Sequence, residues 1–182
     1  MTRSSPDGTR ERYDGLTIAL HWIVVILVAG LWVGGQTTDW LPKGLLRGAI
    51  WSTHVVTGFA LTGIVLVRLV WRLTAGRHLP EVGSTATRWA AKLVQTGLFT
   101  LLVGVVALGL ANAFNRGFNL YGVVKLPKIG DPSLKETLTD LHGLIANILL
   151  ALASFHAAAA LAHYYFWKDN VLARMKPGSW RA

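Results

Sequence analysis

The chain reads as an all-α integral membrane protein, a four-helix up-and-down bundle with both termini cytoplasmic. Three observations lead there. Of its 182 residues 52% are hydrophobic and only 15% charged, against about 25% charged in an average soluble domain. Four apolar segments each approach the ~20 residues that span a bilayer. The basic residues between them are distributed unequally. The expected unit is one domain covering residues 1–182, without internal repeats or low-complexity segments.

The first span is about residues 16–35, LTIALHWIVVILVAGLWVGG. It follows a polar, mixed-charge start, MTRSSPDGTRERYDG, with no apolar core or small-residue cleavage site, so no cleaved signal peptide is expected. The second covers about 49–71, AIWSTHVVTGFALTGIVLVRLVW. The third is about 91–114, and the fourth about 138–167. Ser133 followed by Glu136 fits an S-x-x-E capping box, predicting that helix four starts just outside the membrane. The connections are short or polar: QTTDWLPKGLLRG, TAGRHLPEVGSTATR and NRGFNLYGVVKLPKIGDPSLKE.

Lys and Arg orient the bundle. With the N-terminus inside, the cytoplasmic side holds Arg3, Arg10, Arg12, Arg68, Arg72, Arg77, Arg88, Lys92, Lys168, Arg174, Lys176 and Arg181. The other side holds Lys43, Arg47, Arg116, Lys125, Lys128 and Lys135. The positive-inside rule favours this orientation. Trp40, Trp51, Trp71, Trp89 and Trp167 lie near the span ends, as an aromatic belt requires. The rule also accounts for most of the +9 net charge, so nucleic acid is not an expected partner; the lipid bilayer is. Cysteine is absent, which excludes disulfides, iron–sulfur clusters, thiolate ligands and covalently attached c-type haem.

Four histidines fall inside the spans: His21, His54, His142 and His156. Ionisable groups at membrane depth are costly and normally face inward with a partner. His142 and His156 share one helix two heptads apart, about 21 Å along the axis and within about 40° in azimuth. Depth then pairs His54 with His142 near the outer side and His21 with His156 near the cytoplasm. Facing imidazoles at two depths are what two bis-histidine haems require. Gly143, Gly58 and the HAAAALAH run supply small neighbours that suit a macrocycle edge, although such residues are common at membrane helix interfaces. Gly30-x-x-x-Gly34 reads as simple packing. A zinc or copper site would need ligands clustered at one depth, and no intramembrane Asp or Glu assists one. His78, in the GRHLP loop, reads as solvated. His163 lies seven residues beyond His156; it competes as an inner haem ligand or serves the surroundings of that haem or of a quinone.

At these residues the chain resembles the bacterial cytochrome b561 family, in its branch of small membrane cytochromes with superoxide oxidase activity. The resemblance rests on HAAAALAHYYFWKDNVLARM (residues 156–175), LTIALHWIVV around His21, STHVVTG around His54, and Asn115-Arg116-Gly117. It departs at the start of helix three, TRWAAKLVQTG, where the enteric relative carries histidines, and in the two outer connections. The resemblance implies two non-covalent b haems and quinone chemistry, with haem iron held by His21, His54, His142 and His156.

A bis-histidine haem has no open position for O₂, so outer-sphere electron transfer is its natural work. The outer connections carry a net +2, and basic groups there would draw in a small anion, with Arg116, Lys125 and Lys128 as the steering residues. The expected activity is superoxide:ubiquinone oxidoreduction: superoxide gives electrons at the outer haem, and ubiquinone takes electrons and two protons near the cytoplasm. His163, with Arg72, Lys92 and Gln95, would line the quinone pocket. The alternative is an electron-transfer cytochrome b that oxidises quinol or relays electrons to a partner oxidoreductase. The short loops offer no docking domain, so no obligate protein partner is expected, and a homodimer is left open. Absorption spectra check the ligands: His156→Ala should lose a haem while His163→Ala keeps both, and the reverse overturns the pairing.

Overall fold

A computed structural model describes residues 12–80, 83–169 and 171–177. Arg3, Arg10 and Arg181, counted above in the charge balance, lie outside the described residues. Helix α1 spans Gly15–Thr37, α2 Leu45–Thr74, α3 Thr85–Arg116 and α4 Lys135–Ala162. With short flanking turns, these give four segments long and apolar enough to cross a membrane. Helices α2 and α3 extend beyond the apolar runs, to 45–74 and 85–116. Ser84 begins α3 by accepting the Thr87 amide proton at 3.3 Å.

Consecutive helices run antiparallel. The start of α1 meets the end of α2 through Trp71 Nε1–H, which donates to Asp14 Oδ1 at 3.0 Å. The end of α3 meets the start of α4 through Arg116 Nη2, which donates to Thr139 Oγ1 at 2.5 Å. Helix α1 packs along α2, and α3 packs along α4, with α2 against α3 joining the two pairs. Helix α1 reaches α4 by side-chain hydrogen bonds, including Trp32 Nε1–H to Asn147 Oδ1 at 2.8 Å. Both described ends lie together: the Tyr13 amide donates to the Arg174 carbonyl. Large apolar side chains such as Ile26, Leu66, Leu93 and Phe155 face outward. This is the arrangement expected where the surrounding solvent is lipid.

The main core joins Val24, Leu61, Val65, Leu102, Val105 and Leu149. Leu149 stands seven residues from both His142 and His156, so this apolar layer separates the two histidine levels of α4. A second cluster, Val55, Ala113 and Leu120, with Phe59, Phe118 and Leu126 packed on it, seats a small hairpin that the sequence concealed. Strand β1 (Asn119–Leu120) pairs antiparallel with β2 (Val124–Lys125). Its turn uses positive φ at Tyr121 and Gly122. The Tyr121 amide donates to Ser52 Oγ at 3.0 Å, tying the hairpin to α2.

Two local expectations are corrected. No Ser133–Glu136 capping box forms. A 3-10 turn at Pro132–Leu134 leads straight into α4, and its cap is Asp131, whose carboxylate accepts from the Ser133 amide at 2.9 Å. Proline at the first position of that turn already lacks an N–H, which favours starting one turn earlier. Nor does Gly30-x-x-x-Gly34 pack a neighbouring helix, since a Cβ at either glycine would meet nothing within 4 Å.

Asp14 gathers the termini end. It caps α1 by accepting from the Thr17 amide and hydroxyl, and also accepts from Trp71 and from the Arg77 amide. Partial burial pushes its carboxyl up, but these hydrogen bonds outweigh burial and bring it down to about 2. A depressed carboxylate adds stability above its unfolded value of 3.8, and that contribution is lost as pH falls through about 2. Asp14→Ala should destabilise the bundle by about 1–2 kcal/mol at neutral pH. The difference from the parent should shrink in thermal melts between about pH 4 and pH 2.

Candidate functional site: two levels of paired histidines

His54 of α2 and His142 of α4 come together near the hairpin end. Their ring centres are 6.1 Å apart, with planes at 77°. The His142 ring lies in a notch on α3: its Nδ1–H donates to the Val105 carbonyl at 3.0 Å. That bond fixes the tautomer and leaves Nε2 free as a ligand nitrogen. The notch exists because residue 109 is glycine; a Cβ there would stand 3.0 Å from His142 Cε1. On the opposite side, Gly35 of α1 lies against His54, at 3.7 Å from its Cε1 by the same construction. Among the described residues, His54 Nδ1 is buried with no hydrogen-bond partner of standard geometry.

His21 of α1 and His156 of α4 form the other level. Both are half-buried, and His21 lies within electrostatic range of His156 and of the Arg68 guanidinium. The fold sets the His54 ring beside that of His142 and places His21 within electrostatic range of His156. Among the described residues no group of three or more His, Cys, Asp or Glu side chains could hold a metal ion. The donors come as pairs.

His163 is held differently. It opens a π-helical turn, His163–Trp167, and its Nδ1 meets Asp169 Oδ2 at 2.5 Å. The Trp167 ring lies over it at 4.9 Å. Among the described residues His163 does not hydrogen-bond Arg72, Lys92 or Gln95; the Lys92 ammonium sits over the Trp89 ring instead. His78 is exposed. Asp169 was not singled out from the sequence, where it sits in a polar stretch that looks like a solvated helix end.

The expected steering residues separate into two groups. Arg116 and Lys128, joined by Lys135, line a cavity of about 230 Å³ with Asn115, Phe118 and Pro132. Arg116 is fixed by Asn112 Oδ1 at 3.0 Å and by Thr139. Gly117, the left-handed cap of α3 at φ 62, allows Lys128 to approach. A Cβ on it would meet Lys128 Cβ at 3.0 Å. Lys125 lies apart, exposed on β2. Arg47 pairs with Asp39 at 3.1 Å.

The bundle carries interior histidines on α1, α2 and α4, and comparison with known proteins identifies the class, a membrane cytochrome. Residues 12–178 match the prokaryotic cytochrome b561 family, and the chain belongs to that family. It is 26% identical over 174 residues to the probable superoxide oxidase of Yersinia pestis, covering 92% of this chain and 97% of the relative. It is 29% identical over 178 residues to cytochrome b561 homolog 1 of Escherichia coli, covering 92% and 98%. With cytochrome b562 of Cereibacter sphaeroides it shares 31% identity over 168 residues, covering 90% and 94%.

The family implies haem b, and the residues present fit it. Imidazole nitrogens are strong haem-iron ligands, and His54 and His142, with ring centres 6.1 Å apart, are the residues that would hold such a group at this level. The backbone beside these ligands is also open, since a Cβ on Gly58 or Gly143 would meet nothing within 4 Å. Gly109→Val should push the His142 ring out of its notch and reduce the reduced-minus-oxidised haem signal. Gly104→Ala, where a Cβ meets nothing, should leave the spectrum unchanged.

Proposed function

We propose that this chain is a superoxide:ubiquinone oxidoreductase of the bacterial inner membrane, with both termini cytoplasmic. It would bind two haem b groups, one through His54 and His142 on the periplasmic side and one through His21 and His156 on the cytoplasmic side. The observation that carries this reading is the stacking of the two histidine pairs on either side of the Leu149 layer, with one pair toward the cationic cavity. The name of the Yersinia pestis relative supports the same reading. The net reaction converts two superoxide anions, ubiquinone and two protons into two O₂ and ubiquinol. When bound, the haems supply one-electron transfer without an open coordination position.

The protein residues prepare each end. The Val105 carbonyl orients His142 as a ligand. Arg116, held by Asn112 and Thr139, presents a fixed positive charge beside Lys128 and Lys135, and Lys125 adds to the longer-range field. A cationic concavity raises the encounter rate of a small anion. At the termini end, His163 would serve the surroundings of the quinone and the inner haem, where protons would enter from water.

Purified, haem-loaded protein should reduce ubiquinone in a superoxide-dependent manner above the uncatalysed rate. Raising ionic strength from about 0.1 M to about 1 M shortens the screening length from about 10 to about 3 Å and should slow the superoxide step several-fold. Arg116→Gln with Lys128→Gln should do the same at low salt without changing the haem spectrum. Reduction no faster than background, or activity only with a co-purifying oxidoreductase, would replace this reading with that of a relay cytochrome.

A further inference from the structure

The segment after α4 is built in an unusual way. Residues 163–167 wind as a π-turn, a geometry that concentrates at functional positions. Lys168 then takes a left-handed conformation at φ 52 and ψ 35, which a residue with a Cβ adopts only when its surroundings impose it. The consequence is local. The chain doubles back so that the Asp169 amide donates to the His163 carbonyl at 3.3 Å, and the Asp169 side chain returns to the His163 ring.

Both carboxylate oxygens are used. Oδ2 accepts from His163 Nδ1 at 2.5 Å, and Oδ1 accepts from the Val171 amide at 3.1 Å. Burial raises the Asp169 carboxyl, but these hydrogen bonds and the nearby Arg174 charge together hold it below the ordinary carboxylate range. An ionised carboxylate can only accept, so the proton in this bond belongs to Nδ1. Trp167 covers one face of the ring. The imidazole is fixed on two sides, and Nε2 is the nitrogen left to exchange a proton.

We propose that Asp169 is a positioning residue that holds His163 with Nε2 as the proton-transfer atom for ubiquinone reduction at the termini end. This rests on the superoxide:ubiquinone reading given above. As a quinone oxygen gains electrons derived from superoxide, the Nε2–H bond of the doubly protonated ring breaks, leaving the neutral Nδ1–H form held by Asp169, and an O–H bond forms on the quinone. His163 then recovers a proton from water, and two such cycles supply the two protons of ubiquinol. A carboxylate that orients a general acid–base histidine is a recurring arrangement, because the wrong tautomer presents the wrong nitrogen.

The test uses the full-length, haem-loaded chain with Asp169→Ala and Asp169→Glu. Asp169→Ala should keep the haem spectrum and the rate of the superoxide step, while superoxide-driven ubiquinone turnover falls by at least about tenfold. Asp169→Glu should restore most of that loss. In the wild-type protein, ¹⁵N shifts of the His163 ring should report a protonated Nδ1, and in Asp169→Ala a mixture of tautomers. Turnover equal to wild type in Asp169→Ala, or an unprotonated Nδ1 in the wild type, overturns the proposal. If Asp169→Ala does not fold, Asp169→Glu turnover and the wild-type ring shifts decide. Wild-type protein that reduces no ubiquinone above background defeats the functional reading instead, and the ring shifts then still report whether Asp169 sets the tautomer.

Discussion

Four imidazoles inside an apolar bundle set the main constraint on this molecule. Each carries polar nitrogens that the surrounding hydrocarbon cannot satisfy, so each must be turned inward and matched. Helix α4 carries two of them, and the Leu149 layer between them packs against Val24 of α1, Val65 of α2 and Leu102 of α3. That layer fixes the helices in depth, and the antiparallel topology then delivers His54 from α2 to one level and His21 from α1 to the other. A helix reversed or shifted by half its length would leave imidazoles facing apolar side chains. Core packing and the placement of the polar groups are therefore one arrangement.

The two ends of the bundle are finished in different ways. At the hairpin end, apolar contacts around Val55, Ala113 and Leu120 seat a short β-hairpin. A left-handed glycine brings Lys128 beside Arg116 and leaves a cationic concavity. At the termini end, hydrogen bonding dominates. Asp14 ties α1 to α2. Trp22 Nε1–H donates to the Met175 carbonyl at 2.8 Å, and Arg174 to the Pro80 carbonyl at 2.8 Å, holding the last segment against the bundle. One end is thus built to attract charge, and the other to hold side chains in fixed orientations.

Hydropathy and histidine spacing were legible without a structure because each is a one-dimensional property. Twenty apolar residues are long enough to cross a bilayer, and fourteen residues along a helix return to nearly the same face about 21 Å further on. The same reasoning misplaced the start of α4, because Ser133 and Asp131 compete for one cap and only the backbone path through Pro132 decides between them. It took Gly30 and Gly34 as packing residues, whereas the glycine that matters is Gly109. Nothing in LVGVVALGL marks that residue until the His142 ring is seen lying against it.

The amino-acid sequence by itself determined the four long apolar helices and the spacing of the histidines along them, since both follow from hydropathy and helix rise. Which nitrogen is free on the His142 and His163 rings was decided by the tertiary structure: Val105 engages His142, and Asp169 engages His163. The grouping of Arg116 with Lys128 and Lys135, apart from Lys125, also had to await the fold. The reason is physical: a tautomer or a charge cluster depends on the direction of atoms that meet from different helices and turns, and a linear pattern carries depth but no direction.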